Sequence, residues 1–339
     1  MTSPAPNPFF IVRQKGPCGP YTLSLLQTED PRKASCGGSW PWGILDRLCN
    51  GGIKSYFCWI YGGHNFVEYD REYHYDSSET ANTNAPAATC GCHSKETMSK
   101  KSILETILDA VAAATIAGRS TLALDEMAAA LIRLHNCEPA FLGFTPTGKA
   151  DLGGYPNVLC VSINGEVIHG IPSDRKIEDG DVVKLDCGIK MPDGQYDDGA
   201  TTVLIGDCSA TARRLVKSTK EALEAGIKQA KAGNTNHDIT KAIEAIAKRD
   251  DFAVVHGYGG HGIGTELHME PHIPNEMVYK EDGVTPADEP VILTSGLRIA
   301  IEPMFASKRG FITTAADGWT LKIVGGGVAA HFEKTVTIR

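Results

Sequence analysis

The stretch Asp181-Val-Val-Lys-Leu-Asp186-Cys-Gly-Ile-Lys-Met-Pro-Asp193-Gly-Gln-Tyr-Asp197-Asp198-Gly-Ala-Thr-Thr-Val-Leu-Ile-Gly206 reads as two strands joined by a Pro-Asp-Gly turn. Val183, Leu185, Cys187 and Ile189 recur at period two and form one apolar face. Asp186 and Gly188 fall on the other face, and the returning strand opens with Asp197 and Asp198 before Ala200 to Ile205. Carboxylates that face each other across a hairpin repel unless a cation or a shared proton compensates them. The hairpin is therefore either one half of a metal site or a solvated turn with surface acids. Ligands elsewhere in the chain decide between the two.

Outward from the hairpin, candidate partners appear far along the chain. His256-Gly-Tyr-Gly-Gly-His261-Gly-Ile-Gly-Thr-Glu-Leu-His268 sets His261 and His268 in a glycine-laden strand or loop where backbone can approach a ligand closely. Glu302 in Leu-Arg-Ile-Ala-Ile-Glu-Pro-Met follows an apolar run, and Glu333 interrupts the strand-like Ala-His-Phe-Glu-Lys-Thr-Val-Thr-Ile. Acids at apolar strand positions are costly to bury unpaired, and a pair of divalent cations is the economical compensation. Taken singly, each of these residues also fits a structural role; taken together, they favour the metal site.

The chain has 339 residues, ample for one large domain or two smaller ones. A formal net charge of −8 argues against general nucleic-acid binding, which needs clustered Lys and Arg. No apolar run approaches a membrane span. The first 16 residues lack the apolar core of a secretory signal, so the ten cysteines read as reduced thiols and the compartment as cytoplasmic.

Composition shifts near residue 98. Residues 1–76 are a small, β-rich, Cys/aromatic-rich extension, and 77–97 a linker rich in Ser, Thr, Asn and Ala. Cys18, Cys36, Cys49, Cys58, Cys90 and Cys92 all precede residue 93, but no Cys-x-x-Cys pair supports a zinc module. Residues 98–339 are regular. Helices are expected over 102–117, over 121–135 with Thr121 as its cap, and over 209–231 and 238–249. Strands are expected over 158–167, 297–302, 320–323 and 330–338. A helix pair, strands, a second helix pair and more strands suggest a two-fold duplication in an α+β domain.

From about residue 103 to the end, the sequence resembles the methionine aminopeptidases of the pita-bread fold. The resemblance lies in Ser-Ile-Asn-Gly-Glu-Val-Ile-His169-Gly-Ile-Pro, Asp186 with its hairpin acid, Gly-His261-Gly-Ile-Gly, Ile-Glu302-Pro-Met, Asp317-Gly-Trp319 and Phe-Glu333-Lys-Thr-Val. It implies a pita-bread fold of two pseudo-symmetric halves and removal of initiator methionine from nascent chains with a small second residue. It implies Asp186, Asp198, His261, Glu302 and Glu333 as ligands of two divalent cations (Co, Mn, Fe or Zn), with Glu302 also accepting the proton of the attacking water. His169 and His268 would assist turnover, and Phe144, Tyr155, Cys160, Leu267 and Trp319 would line the methionine pocket. The implied enzyme is a monomer that meets nascent N-termini, with the ribosome as a candidate partner and no membrane or direct nucleic-acid partner. The rivals are an Xaa-Pro aminopeptidase or prolidase of the same fold, and a non-catalytic binding module.

Three departures matter. Eleven residues separate Asp186 from Asp198, one more than the family's spacing, so Asp197 competes for the ligand role. An odd-length turn keeps 198 on the face of 186, and a two-residue turn favours 197. Residues 145–154 read as an insertion beside the pocket, while Met269 and Lys334 replace a common Glu and His. The 31-residue step from Glu302 to Glu333 leaves no room for the helical insert of type II enzymes, which favours type I.

Overall fold

Four side-chain caps start the helices that pack on the sheets. In a computed structural model describing residues 9–15, 21–27, 57–62, 65–70, 101–146 and 153–339, helix α1 (Ile103–Ala114) begins with a capping box. The Ser102 hydroxyl accepts from the Glu105 N–H, and the Glu105 carboxylate accepts from the Ser102 N–H. Helix α2 (Thr121–Leu134) is capped by Ser120, not Thr121. The Thr121 hydroxyl instead donates to the Ser173 carbonyl, so it ties the helix start to a distant loop. The second pair, α3 (Ala210–Gln229) and α4 (Asn236–Asp250), starts at Ser209 and at a Thr235–Asp238 capping box. That box places the start of α4 two residues earlier than the apolar periodicity suggests.

The chain divides into two compact units, Met1–Glu96 and Thr97–Arg339. In the first, β1 (Phe9–Lys15), β2 (Tyr21–Gln27), β3 (Phe57–Gly62) and β4 (Asn65–Asp70) form an antiparallel sheet in the order β2-β1-β3-β4. The thiols of Cys18, Cys36, Cys49, Cys58, Cys90 and Cys92 and the linker 77–97 lie outside the described residues.

The second unit is built on an eight-stranded sheet. Its strands are β5 (Glu138–Pro139), β6 (Cys160–Ile163), β7 (Val182–Lys190), β8 (Tyr196–Leu204), β10 (Gly259–Gly262), β11 (Met269–Pro274), β12 (Arg298–Ile301) and β17 (Glu333–Thr337). They run in the order β11-β10-β12-β17-β8-β7-β5, with β6 also paired to β7. The short strands β9 (Ala253–Val254), β13 (Met304–Ala306) and β16 (Ala329–His331) form a second sheet, and β14 (Ile312–Thr314) pairs with β15 (Leu321–Ile323). Helices α1 and α2 pack with the β7–β8 half, while α3 and α4 pack with the β10–β12 half. This is the expected duplication of helix pair and strands.

Strand β7 is buried along its length except at Lys190, so it is covered on both faces. Leu104 and Leu108 of α1 lie against Gly199, the cross-strand partner of Cys187, and so cover the odd-numbered face. The even-numbered face carries Asp186. A strand expected over 330–338 is instead two: β16 pairs with β13, and β17 pairs with β12 and β8. The chain changes sheet at Phe332, whose N–H bonds the Pro303 carbonyl.

Strand β10 is glycine-rich because neighbouring backbone leaves no room for side chains. A Cβ on Gly260 would stand 2.0 Å from the Ala300 carbonyl oxygen, and one on Gly262 would stand 2.1 Å from that of Glu270. Neither neighbour is a flexible side chain that could swing away. We expect Gly260→Ala to part β10 from β12 and destabilise the unit by at least about 2 kcal/mol. Thermal or urea unfolding checks this, and an unchanged midpoint would contradict the packing described.

Candidate metal centre

Register decides which hairpin acid shares a face with Asp186. The Met191 N–H bonds the Gln195 carbonyl across the turn, leaving the odd-length tip Pro192, Asp193 and Gly194. The pairing Lys190↔Tyr196 then propagates to Gly188↔Asp198 and Asp186↔Ala200. Asp198 therefore projects from the same face as Asp186, because side chains alternate along a strand. Asp197 projects from the other, where its carboxylate lies 4.0 Å from the Arg298 guanidinium. Burial raises the Asp197 carboxyl, and the Arg298 charge opposes that shift.

Carboxylate oxygens of Asp186, Asp198 and Glu333 lie within 4.8 Å of one another, as do donor atoms of His261, Glu302 and Glu333. Each side chain arrives on a separate element: Asp186 on β7, Asp198 on β8, His261 on β10, Glu302 just after β12 and Glu333 at the start of β17. Thr335 ties two of these strands, since its hydroxyl accepts from the Asp198 N–H and donates to the Asp198 carbonyl, both at 3.0 Å. The His261 Nδ1 bonds the Gly262 carbonyl at 2.9 Å, which assigns the ring proton to Nδ1 and frees Nε2. That Nε2 lies 3.7 Å from Glu302 Oε1 and 3.9 Å from Asp198 Oδ2.

Among the described residues, no lysine or arginine pairs with Asp186, Asp198, Glu302 or Glu333. Burial pushes the Asp186 carboxyl up to about 7. It raises Asp198, Glu302 and Glu333 well above the carboxylate range, and their mutual repulsion adds to the shift. Asp186 Oδ1 is buried with no hydrogen-bond partner. An orphaned acceptor beside three further acids is what a divalent cation would satisfy, and the oxygen-rich donor set with imidazole fits such an ion.

These side chains open onto a cavity of about 390 Å³. Phe144, Tyr155, Cys160, Leu267 and Trp319, all singled out from the sequence, line it together with His169 and His268. The Tyr155 and Trp319 rings meet edge to face at 5.2 Å, and the buried Tyr155 hydroxyl donates to the Gly170 carbonyl at 2.9 Å. His169 sits in the left-handed region at φ 59°, uncommon for a residue with a Cβ. It is held there because Gly170 bonds back to β6, accepting from the Val161 N–H and donating to the Ser162 hydroxyl. His268 stands at the rim, its ring edge-on to Phe144 at 5.1 Å and to His261 at 4.4 Å. Withdrawal from water lowers its imidazole pKa first, with His261 and His169 adding to the effect.

Phe141, Pro146, Ile168, Tyr258 and His331 also line the cavity and were not singled out from the sequence. His331 is the notable omission. It is 1% exposed, and neither ring nitrogen has a hydrogen-bond partner. Burial, then His169 and Lys184, pulls its imidazole down to about 3. Its signal was present as a histidine at the end of Val-Ala-Ala-His331, two residues before an acid in an apolar strand. Of the expected insertion 145–154, residues 147–152 lie outside the described residues.

Residues 100–339 match the sequence model of metallopeptidase family M24. A methionine aminopeptidase of Aquifex aeolicus is 41% identical over 237 residues, spanning 70% of this chain and 88% of the relative. Methionine aminopeptidase 1 of Bacillus subtilis is 35% identical, over 65% and 82%. The crystal structure of a methionine aminopeptidase from Thermotoga maritima superposes with a TM-score of 0.63 at 33% identity, covering 70% of this chain and 88% of that one. A prolidase from Pyrococcus furiosus, at 20% identity and a TM-score of 0.51, shares the fold.

Raised carboxyl values make an electrostatic prediction. A carboxyl whose native pKa lies above its unfolded value stabilises the native state below the unfolded pKa, and that stability is lost as pH rises through the native pKa. For Asp186 the window runs from the ordinary aspartate value of 3.8 to about 7. Metal-stripped protein should therefore lose thermal stability as pH rises through that range. Added divalent cation should restore most of it at the upper end, as calorimetry at a series of pH values would show. A stripped protein that gains stability over that range would contradict the buried, uncompensated cluster.

Proposed function

This chain belongs to metallopeptidase family M24, and we propose that it removes the N-terminal methionine from nascent polypeptides with a small second residue. The observation that carries the reading is the meeting of the acid cluster, His261 and an aromatic, thiol-lined pocket in one cavity. In this reading Asp186, Asp198, His261, Glu302 and Glu333 hold two divalent cations, and the register of the hairpin favours Asp198 over Asp197. Bound there, the cations would lower the pKa of the attacking water and polarise the scissile carbonyl. Their identity among Co, Mn, Fe and Zn depends on availability as well as affinity.

The chain's own groups supply the rest. Glu302, whose carboxylate faces both the cavity and His261, accepts the proton of the attacking water and returns it to the leaving amine. His268, with its depressed imidazole pKa, is neutral at physiological pH and offers an N–H to the developing oxyanion. His169, fixed by the loop pinned to β6, faces the same cavity and positions the substrate backbone. The wall of Phe144, Tyr155, Cys160, Leu267 and Trp319 takes the methionine side chain, whose thioether makes favourable contacts with ring edges.

One observation favours this substrate over an Xaa-Pro peptide. The relatives with the higher identities are named methionine aminopeptidases, whereas the prolidases share only the fold. Between Glu302 and Glu333 the described chain contains strands and turns without a helix, as in the type I arrangement. Residues 98–339 form the catalytic domain in this proposal, in keeping with the compact unit Thr97–Arg339. The enzyme would work as a monomer in the cytoplasm, where nascent N-termini emerge. No described helix is long and apolar enough to cross a membrane.

Manganese- or cobalt-loaded protein is expected to release methionine from Met-Ala-Ser and to leave Ala-Pro intact. Glu302→Ala should lower that activity by roughly 10²–10⁴-fold. Cleavage of Ala-Pro in preference, or no release of methionine, would sink the proposal. Calorimetric titration with manganese separates the hairpin acids. Asp198→Asn should lose more than the roughly 10- to 100-fold in affinity that a hydrogen-bonding neighbour of a ligand is worth, and Asp197→Asn no more than that.

A further inference from the structure

His331 is the one buried imidazole lining the cavity that the proposed reaction leaves without a task. Its position is built. Strand β16 pairs with β13 so that His331 sits across from Met304, two residues beyond Glu302. The Thr202 hydroxyl clamps its backbone, donating to the His331 carbonyl at 2.6 Å and accepting from the His331 N–H at 3.0 Å. The ring lines the cavity, and its Nε2 lies 3.8 Å from Glu302 Oε2 and 4.0 Å from Glu333 Oε2.

Those separations are too long for hydrogen bonds. They suit donors that share one cation, since ligands about 2.1 Å from an ion lie roughly 3–4 Å apart in octahedral or tetrahedral arrangements. Both ring nitrogens are buried without a partner, a costly state for a group that could otherwise hydrogen-bond. Glu302 is flanked on both sides: its Oε1 faces His261 Nε2 and its Oε2 faces His331 Nε2.

We propose that His331 is a further metal ligand, so that the cation held by Glu302 carries two imidazoles, from His261 and His331. The proposal rests on the two-cation reading of the site and adds a donor to it. A second nitrogen in place of water or carboxylate oxygen shifts preference toward ions that suit imidazole, such as iron, cobalt and zinc, and away from manganese.

Proton NMR of the cobalt-loaded full chain counts coordinated imidazoles directly, through their hyperfine-shifted, solvent-exchangeable ring N–H signals. Wild type is expected to show two such signals and His331→Gln one, since glutamine cannot supply an imidazole. Competition against a chelator should show the tighter cobalt site weakened by at least about tenfold in His331→Gln, and manganese affinity changed less. One signal in wild type would overturn the proposal whether or not the variant folds, and would leave the two-cation reading standing. Unaltered signals and cobalt affinity in a folded His331→Gln would overturn it equally. Failure of wild type to bind cobalt at all would instead overturn the underlying site.

Discussion

Repulsion among four carboxyl groups in one buried cavity governs this structure. Asp186, Asp198, Glu302 and Glu333 face one another with no lysine or arginine among the described residues that line the cavity. Burying unpaired charge costs several kcal/mol per ion, so such a cluster survives only if protons or cations compensate it. Burial, with mutual repulsion added at Asp198, Glu302 and Glu333, raises the carboxyl pKa values, which favours protonation in the absence of metal. A divalent cation compensates the cluster with greater charge and with defined geometry. Metal binding and the stability of the core are thereby linked, because the acids sit on strands from both halves of the large sheet.

That arrangement needs exact strand register, and much of the local architecture maintains it. The three-residue tip keeps Asp198 on the face of Asp186, and Thr335 locks β17 to β8 beside it. Glycines admit β10 between its neighbours so that His261 arrives as the lone side chain of Gly-Gly-His-Gly. Helix α1 seals the opposite face of the hairpin with Leu104 and Leu108. A slip of one residue in any of these strands would turn a ligand away from the cavity.

Much of this was legible in the sequence, for a physical reason. Glu302 and Glu333 stand in or beside apolar runs where a buried acid is expensive enough to signal a partner, and Asp186 faces a hairpin acid that needs compensation. Periodicity also marked the four helices to within a few residues, although Thr235 sets a start that apolar spacing alone misplaces, and Ser120 rather than Thr121 is the cap of α2. Residue spacing leaves turn parity open, and the Met191–Gln195 pairing puts Asp198, not Asp197, on the face of Asp186. His331 stayed hidden because a single histidine in a strand is ordinarily a structural residue. Its significance depends on β16 and β17 belonging to different sheets, and continuous strand patterning over 330–338 gives no hint of that break.

Anomalous diffraction from crystals soaked in manganese tests the central claim most directly. The account predicts two peaks between the strands, with Asp186, Asp198, His261, Glu302 and Glu333 as ligands and Asp197 turned away toward Arg298. No peak in the cavity, or a peak held by Asp197 in place of Asp198, would contradict it.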